Sequence, residues 1–150
     1  MNLPLGAFSR LILAGVACWS LSSRGAAAAA GDDAAALLDK SGVKGGLCLV
    51  LGAKDPALAA ALAEKCPFYV QVLQPDVKLA AQWGATVAGS ANRESLSIRS
   101  AAFDPVHYDS DLFNLIVVED SAALGAAKPA DLFRVLTPQG CVAFQSARPL

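Results

Sequence analysis

The chain has 150 residues, of which 55% are hydrophobic and 17% are charged, and its formal net charge is -1. This composition is typical of a globular protein with room for one domain, and it excludes an intrinsically disordered chain. Binding to a polyanion requires a clustered excess of Lys and Arg, which the sequence lacks. We therefore expect no nucleic-acid partner and no binding to an anionic membrane surface.

The first thirty residues have the parts of a secretory signal peptide. Arg10 supplies a positive flank, residues 11–21 form an apolar segment, and residues 26–30 offer the small side chains that a signal peptidase accepts. The apolar segment is about half of the roughly 20 residues that a membrane-spanning helix needs. We predict cleavage near Ala30 and export to the periplasm or beyond, with a folded domain at 31–150. An uncleaved N-terminal anchor is the alternative, and no other membrane contact is expected.

The strongest element of the exported part is an unbroken apolar run at residues 47–51. Such a run is typical of a strand that is buried on both faces of a parallel sheet. A short helix that is capped by Asp32 or Asp33 and ended by Gly42 is expected before it. After the strand, Gly52 ends the apolar run and the chain turns into an alanine-rich helix.

The remaining elements alternate between the two types. The sequence predicts helix 55–65, strand 68–73, helix 76–83 ended by Gly84, strand 96–99, strand 112–118, helix 129–136, a turn at 137–140 and strand 141–144. Strands that alternate with helices favour parallel βαβ units with right-handed crossovers. The fold class is therefore α/β, a doubly wound and mainly parallel sheet of about five strands.

The cysteines and the histidine offer no framework for a disulfide network or a metal. Cys48, Cys66 and Cys141 follow the predicted signal segment, and an odd number of cysteines cannot be fully paired within one chain. The chain has a single histidine, His107, and no C-x-x-C pair, so the sequence contains no recognisable zinc site.

Three segments in this order resemble the class I S-adenosylmethionine-dependent methyltransferases. They are LCLVLG at 47–52, FNLIVVED at 113–120 and FRVLTPQG at 133–140. More narrowly, GVKGGL at 42–47 and NLIVVED resemble the methyltransferase-like module of exported bacterial proteins that also carry quinoprotein propeller repeats. The resemblance covers about residues 35–144 and implies a Rossmann-like sheet.

The full methyltransferase fold has seven strands, and the last two have no counterpart in this sequence, so the domain is expected to be incomplete. It would then be a truncated remnant, a fragment of a longer product, or a subunit whose open sheet edge another domain or chain covers.

The resemblance also assigns positions for S-adenosylmethionine. Members of the family approach the methionine part with a glycine-rich turn, because glycine has no Cβ to collide with the ligand. In this chain the turn comprises Gly52, Ala53 and Asp55, while Lys54 and Pro56 occupy the second and third glycine positions. Lys54 would bring a cation close to a sulfonium cofactor.

The ribose and the adenine are held by acidic residues in that family. Gln74 stands at the ribose position, and Asp76 is a possible substitute whose competing interpretation is a helix cap. The adenine position corresponds to Ala102, with Asp104 as a displaced candidate that could equally be a solvated turn residue.

A general base for methyl transfer has three candidates. Glu119 and Asp120 follow a central strand at the edge where open α/β sheets bind ligands, and His107 is suggested only by its pKa class. A catalytic residue therefore remains unassigned.

Together these residues predict a degenerate, non-catalytic methyltransferase-like module in an exported protein, in which binding of S-adenosylmethionine is doubtful. The alternative is an S-adenosylmethionine-dependent methyltransferase that acts on an unknown acceptor. A nicotinamide dinucleotide fold needs the same glycine turn and is disfavoured for the same reason.

Overall fold

The computed structural model describes residues 20–103, 106–124 and 129–144, which form one parallel sheet with helices on its faces. The strands are β1 (Gly46–Leu51), β2 (Phe68–Gln74), β3 (Leu96–Ser100), β4 (Phe113–Val118) and β5 (Leu136–Phe144). The helices are α1 (Ser20–Ser41), α2 (Ala57–Lys65), α3 (Val77–Ala88) and α4 (Pro129–Val135), with a 3₁₀ turn at Ser121–Leu124.

The strand order is β3-β2-β1-β4-β5, and all four pairings are parallel. The chain therefore starts at β1 in the middle of the sheet, moves outward to β3, and returns to the other side of β1 with β4. This arrangement confirms the predicted doubly wound α/β fold. It also places the reversal of strand order between β1 and β4, which is where such sheets bind ligands.

Apolar side chains fill both faces of the sheet. On one face β1 and β4 pack against the first three helices, and this cluster includes Ala34, Leu62, Val70, Trp83 and Leu115. On the other face they pack against α4 and the segment between β3 and β4, through Leu49, Phe103, Val106, Ile116 and Leu132. Because β1 is covered on both faces, its apolar run needs no polar alternation, as the sequence predicted.

A glycine and an asparagine fix the start of β1 against β4. The backbone N–H of Leu47 donates to the Oδ1 of Asn114 at 3.0 Å. Gly46 has φ +111°, and a Cβ there would collide with the Asn114 side chain. The two short motifs that carried the narrower resemblance therefore contact each other directly.

The first helix begins earlier than predicted. α1 starts at Ser20, so the expected start at Asp32 or Asp33 is wrong. The alanines of residues 26–30 have the highest helix propensity of any residue type, which lets the helix extend through them. Its end agrees with the prediction, because Gly42 has φ +68° and its N–H donates to the Leu38 carbonyl at 3.1 Å.

Residues 1–19 lie outside the described part of the chain, and the signal peptide with cleavage near Ala30 stays a prediction. Within the described ranges, no helix combines the length and the apolar character needed to cross a bilayer.

The third helix also differs from its prediction. α3 continues through Gly84 to Ala88, so the predicted stop at that glycine is wrong. Glycine inside a helix costs about 1 kcal/mol relative to alanine. Trp83 and Val87, one on each side of Gly84 in the chain, are buried, and their packing offsets that cost.

The predicted turn at 137–140 lies within β5 as a large irregularity. Phe113 pairs with Leu136 and Leu115 pairs with Cys141, so four residues of β5 lie opposite Asn114 alone. The strand therefore begins five residues earlier than predicted, and the bulge separates its two paired parts.

Candidate functional site

The ligand edge of the sheet lies where β1 and β4 end side by side. The N–H of Glu119 donates to the Leu51 carbonyl at 3.0 Å, which extends the pairing of the two strands by one step. Gly52 then turns the chain with φ +67°, a conformation that residues with a Cβ rarely adopt. The next residue, Ala53, is buried and packs into the core beneath the turn. The crevice is thus bordered by the turn after β1 and by Glu119.

The residues after Ala53 are organised to start a helix. The Oδ1 of Asp55 accepts a hydrogen bond from the Ala57 N–H at 2.8 Å. Pro56 adopts φ -82°, and its carbonyl accepts from the Ala60 N–H at 2.9 Å. The Asp55 carboxylate therefore satisfies a backbone donor at the start of α2 that has no partner within the helix.

The end of β2 shows the same use of polar groups. The Oδ1 of Asp76 accepts from the N–H groups of Lys78 and Leu79 at 2.8 and 3.1 Å. The Oε1 of Gln74 accepts from the Asp76 N–H at 3.2 Å. Asp76 is thus the N-cap of α3, which was the competing interpretation of this residue. Of the adenine candidates, Asp104 lies outside the described residues, and Ala102 is exposed.

Glu119 differs from these side chains because one of its oxygens has no partner. Its Oε1 is buried and makes no hydrogen bond to any described residue. Burial raises the pKa of this carboxyl from its ordinary 4.5 to about 7, and the negative charge of Asp55 contributes to the increase. The backbone N–H and the charged side chain of Lys54 lower the pKa and so offset part of this increase. The adjacent Asp120 is less available, because its Oδ1 accepts from the Ala122 N–H at 2.9 Å.

His107 lies in a different region from Glu119. It borders a shallow hollow of about 470 Å³ together with Val106, Tyr108 and Arg134. The Tyr108 ring contacts the Phe113 ring edge-on, with centroids 5.0 Å apart, so this segment lies at the beginning of β4. Ligands of open α/β sheets bind at the opposite, carboxyl ends of the strands. The structure therefore does not bring His107 together with the other two candidate bases.

Arg134 has a structural role that the sequence reasoning missed. Its Nη1 donates to the Tyr108 carbonyl at 2.7 Å and its Nη2 to the Val106 carbonyl at 2.9 Å. Its backbone carbonyl accepts from the Asp111 N–H at 3.0 Å. One arginine thus attaches the segment before β4 to α4. In the sequence, Arg134 stands out only as part of the FRVLTPQG motif. That motif carries the resemblance but does not predict the contact with the carbonyls of Val106 and Tyr108.

The crevice has few free polar groups at the positions that the resemblance assigns to S-adenosylmethionine. Gly52 provides close backbone approach at one position only, since Lys54 and Pro56 replace the other glycines of the turn. At the end of β2, Gln74 and Asp76 each have one side-chain oxygen that accepts a hydrogen bond from a backbone N–H of this chain. Among the described residues, no group of three or more His, Cys, Asp or Glu side chains is arranged to hold a metal ion.

The solved structures that resemble this chain include several methyltransferases. A candidate S-adenosyl-L-methionine-dependent methyltransferase of Methanococcus maripaludis aligns with a TM-score of 0.71 and 18% identity, over 81% of this chain and 57% of that one. A methyltransferase of Aquifex aeolicus aligns with a TM-score of 0.63 and 14% identity, over 75% of this chain and 62% of that one. The geranyl diphosphate C-methyltransferase of Streptomyces coelicolor was solved with S-adenosyl-L-homocysteine. It aligns with a TM-score of 0.64 and 12% identity, over 75% of this chain and 43% of that one.

These similarities define the class of fold. The chain has the fold of the class I S-adenosylmethionine-dependent methyltransferases, and it spans about half the length of the solved structures that it matches. Identities this low establish the fold and not the activity. No protein-family model matches the chain, and no curated protein matches it.

Proposed function

We propose that the chain is a methyltransferase-fold module that does not catalyse methyl transfer and that acts as a binding or structural part of an exported protein. One observation carries the proposal: the polar side chains at the positions expected to hold the cofactor hydrogen-bond to the backbone of their own helix starts. Asp55 does so at α2, and Gln74 and Asp76 do so at α3.

The energetic consequence is a weak cofactor site. Each hydrogen bond that a buried ligand group fails to make costs on the order of 1–3 kcal/mol. Every 1.4 kcal/mol is about tenfold in affinity, so the loss of two or three anchors removes several orders of magnitude. Lys54 adds repulsion between its ammonium group and the sulfonium of S-adenosylmethionine.

Isothermal titration of the full chain with S-adenosylmethionine and with S-adenosylhomocysteine tests the proposal. We expect no saturable heat with either compound at millimolar concentration. The variant K54G/P56G/Q74D restores two glycines and the ribose carboxylate, and we expect it to bind S-adenosylhomocysteine measurably. The variant K44G/Q82D is the matched control, because both of its sites are exposed and lie away from the crevice. Saturable binding by the unmodified chain would contradict the proposal.

A second candidate function rests on Glu119. A buried carboxylate oxygen without a partner, at the point where strand order reverses, is able to accept a hydrogen bond from a ligand. Its pKa of about 7 also suits a general base near neutral pH. The candidate is therefore an S-adenosylmethionine-dependent methyltransferase with an unknown acceptor. It predicts that the unmodified chain binds the cofactor and that E119Q weakens this binding.

Export is a separate part of the proposal and rests on the signal-like N-terminal sequence. Expression with its own N-terminus, followed by mass spectrometry of the exported fraction, tests it. We expect a chain that begins close to residue 31. A full-length chain that stays with the cells would contradict cleavage and export.

A further inference from the structure

The two outer strands of the sheet differ in how well they are protected against pairing with another strand. β3 carries Ser97, Arg99 and Ser100, and charged or polar residues on an edge strand oppose the addition of a further strand. β5 has no charged residue over its nine positions, and it ends in the apolar run CVAF. Among the described residues, β5 pairs on one side only, with β4. Pro138 and the bulge protect residues 136–140 of that edge, whereas residues 141–144 carry neither a charge nor a proline.

Both apolar clusters of the domain reach β5 and remain open there. Cys141 packs against the cluster beneath the first three helices, and Val142 packs against the cluster on the opposite face. Both are only partly buried, whereas their β4 partners Leu115 and Ile116 are 0% exposed. Phe144 is 61% exposed, although it pairs with the fully buried Val118. Another strand beside β5 would bury all three of these side chains.

A second copy of the same chain fits this edge. An uncharged strand meets no like-charge repulsion when it pairs with itself, whereas self-pairing of β3 would bring Arg99 side chains of the two copies onto one narrow edge. A two-fold axis perpendicular to the sheet makes the new pairing antiparallel and keeps each face on its own side. Cys141 and Ala143 of both copies then share one face, and Val142 and Phe144 share the other. Each of the two apolar clusters becomes continuous across the axis.

The free cysteines agree with a contact between copies. Cys141 has no disulfide partner and lies on the open strand. In an exported chain, an odd number of cysteines leaves one thiol that is either free or bonded to another chain. We propose that β5 pairs antiparallel with β5 of a second copy through residues 141–144, to form a ten-stranded sheet across a two-fold axis. This proposal does not depend on whether the crevice binds a cofactor.

Light scattering on the full chain after gel filtration tests the pairing. We expect a mass twice the 15.3 kDa of the monomer. The variant F144K places a charge in the contact, and we expect it to run as a monomer. The matched control is F133K, because Phe133 is 66% exposed but lies on α4, and this variant should remain dimeric. A monomeric unmodified chain would overturn the proposal. A dimer that persists in F144K would also overturn it, because the contact would then lie elsewhere, for example in the N-terminal residues.

Two measurements keep the proposal testable if F144K does not fold. Hydrogen exchange in residues 136–144 of the unmodified chain should slow as protein concentration rises, and exchange in β3 should not change. In the C66S variant, which retains Cys141, the Cys141 thiol should react more slowly with a maleimide as protein concentration rises, because the pairing buries it. Exchange in β5 or reactivity of Cys141 that is independent of concentration would contradict the pairing.

Discussion

Asn114 of β4 accepts a hydrogen bond from the Leu47 N–H of β1, and its side chain occupies the space that a Cβ on Gly46 would need. This contact joins residues 67 positions apart and sets the register of the two central strands. The ends of these strands border the crevice, so the contact also positions Gly52 and Glu119. It explains why the first strand begins with glycine and why a polar residue interrupts an otherwise apolar fourth strand.

Substitution of Gly46 should therefore be destabilising. In G46A the new Cβ meets the Asn114 side chain, and φ +111° is unfavourable for alanine, so we expect a loss of about 2–4 kcal/mol in the free energy of unfolding. The control is G84A, because a Cβ at Gly84 meets nothing within 4 Å and the site is helical. We expect G84A to stabilise by about 0.5–1 kcal/mol. Urea denaturation measures both, and equal effects would refute the role of Gly46.

Arg134 should stabilise the segment before β4. In R134M the Tyr108 carbonyl loses its donor and the Val106 carbonyl keeps only the Tyr108 N–H, so we expect a loss of about 1–3 kcal/mol with faster amide exchange in residues 106–112. R93M is the control, since the Arg93 side chain is 67% exposed and its pairing with Glu94 spans 3.9 Å. If R134M left exchange in that segment unchanged, the carbonyl contacts would not be what holds it.

Asp76 should behave as a helix cap. D76A removes the acceptor for two N–H groups at the start of α3, and we expect a loss of about 1 kcal/mol. D76N keeps an acceptor oxygen and should retain most of the stability, because asparagine caps helices about as well as aspartate. Thermal unfolding of both variants measures the difference. A role that needs the negative charge would instead make D76N as damaging as D76A.

Glu119 should make stability depend on pH. Its pKa is about 7 in the folded chain and about 4.5 when exposed, so the folded state binds more protons between these values. The free energy of unfolding should therefore fall as pH rises from 4.5 to 7. We expect this contribution to be about 1–2 kcal/mol, because partial exposure screens the full effect of the shift.

The matched variants for this effect are E119Q and E94Q. E119Q cannot ionise, so its stability should decline less than that of the unmodified chain between pH 4.5 and 7.5. The Glu94 side chain is 85% exposed, and E94Q should follow the unmodified chain. Denaturation curves collected across this range make the comparison. A pH profile that E119Q leaves unchanged would mean that the carboxyl is not desolvated by the crevice.

The sheet was predictable because burial on both faces leaves a plain signal in the sequence. The runs that form β1 and β4 are uninterrupted by charge, and the alternation with helices favours parallel strands. Helix ends were less predictable. Gly84 is a plausible stop, yet burial of Trp83 and Val87 carries α3 past it, and that packing depends on the rest of the fold.

The chemistry of the crevice was predictable only in part. The motif positions of Gly52, Gln74 and Glu119 follow from the order of the strands, so the sequence places them at one edge. Which polar atoms are already in use depends on distances between segments. Glu119 approaches the turn at Lys54, a contact between residues 65 positions apart in the chain, and only the folded structure shows which of its oxygens lacks a partner.

We expect that the crevice does not bind S-adenosylmethionine or S-adenosylhomocysteine. Two-dimensional ¹⁵N NMR of the full chain with S-adenosylhomocysteine tests it most directly, because backbone amide shifts detect even weak binding and identify the site. At millimolar ligand, the account predicts that the amide resonances of Gly52, Gln74 and Glu119 stay where they are. Saturable shifts concentrated at these three residues would contradict it.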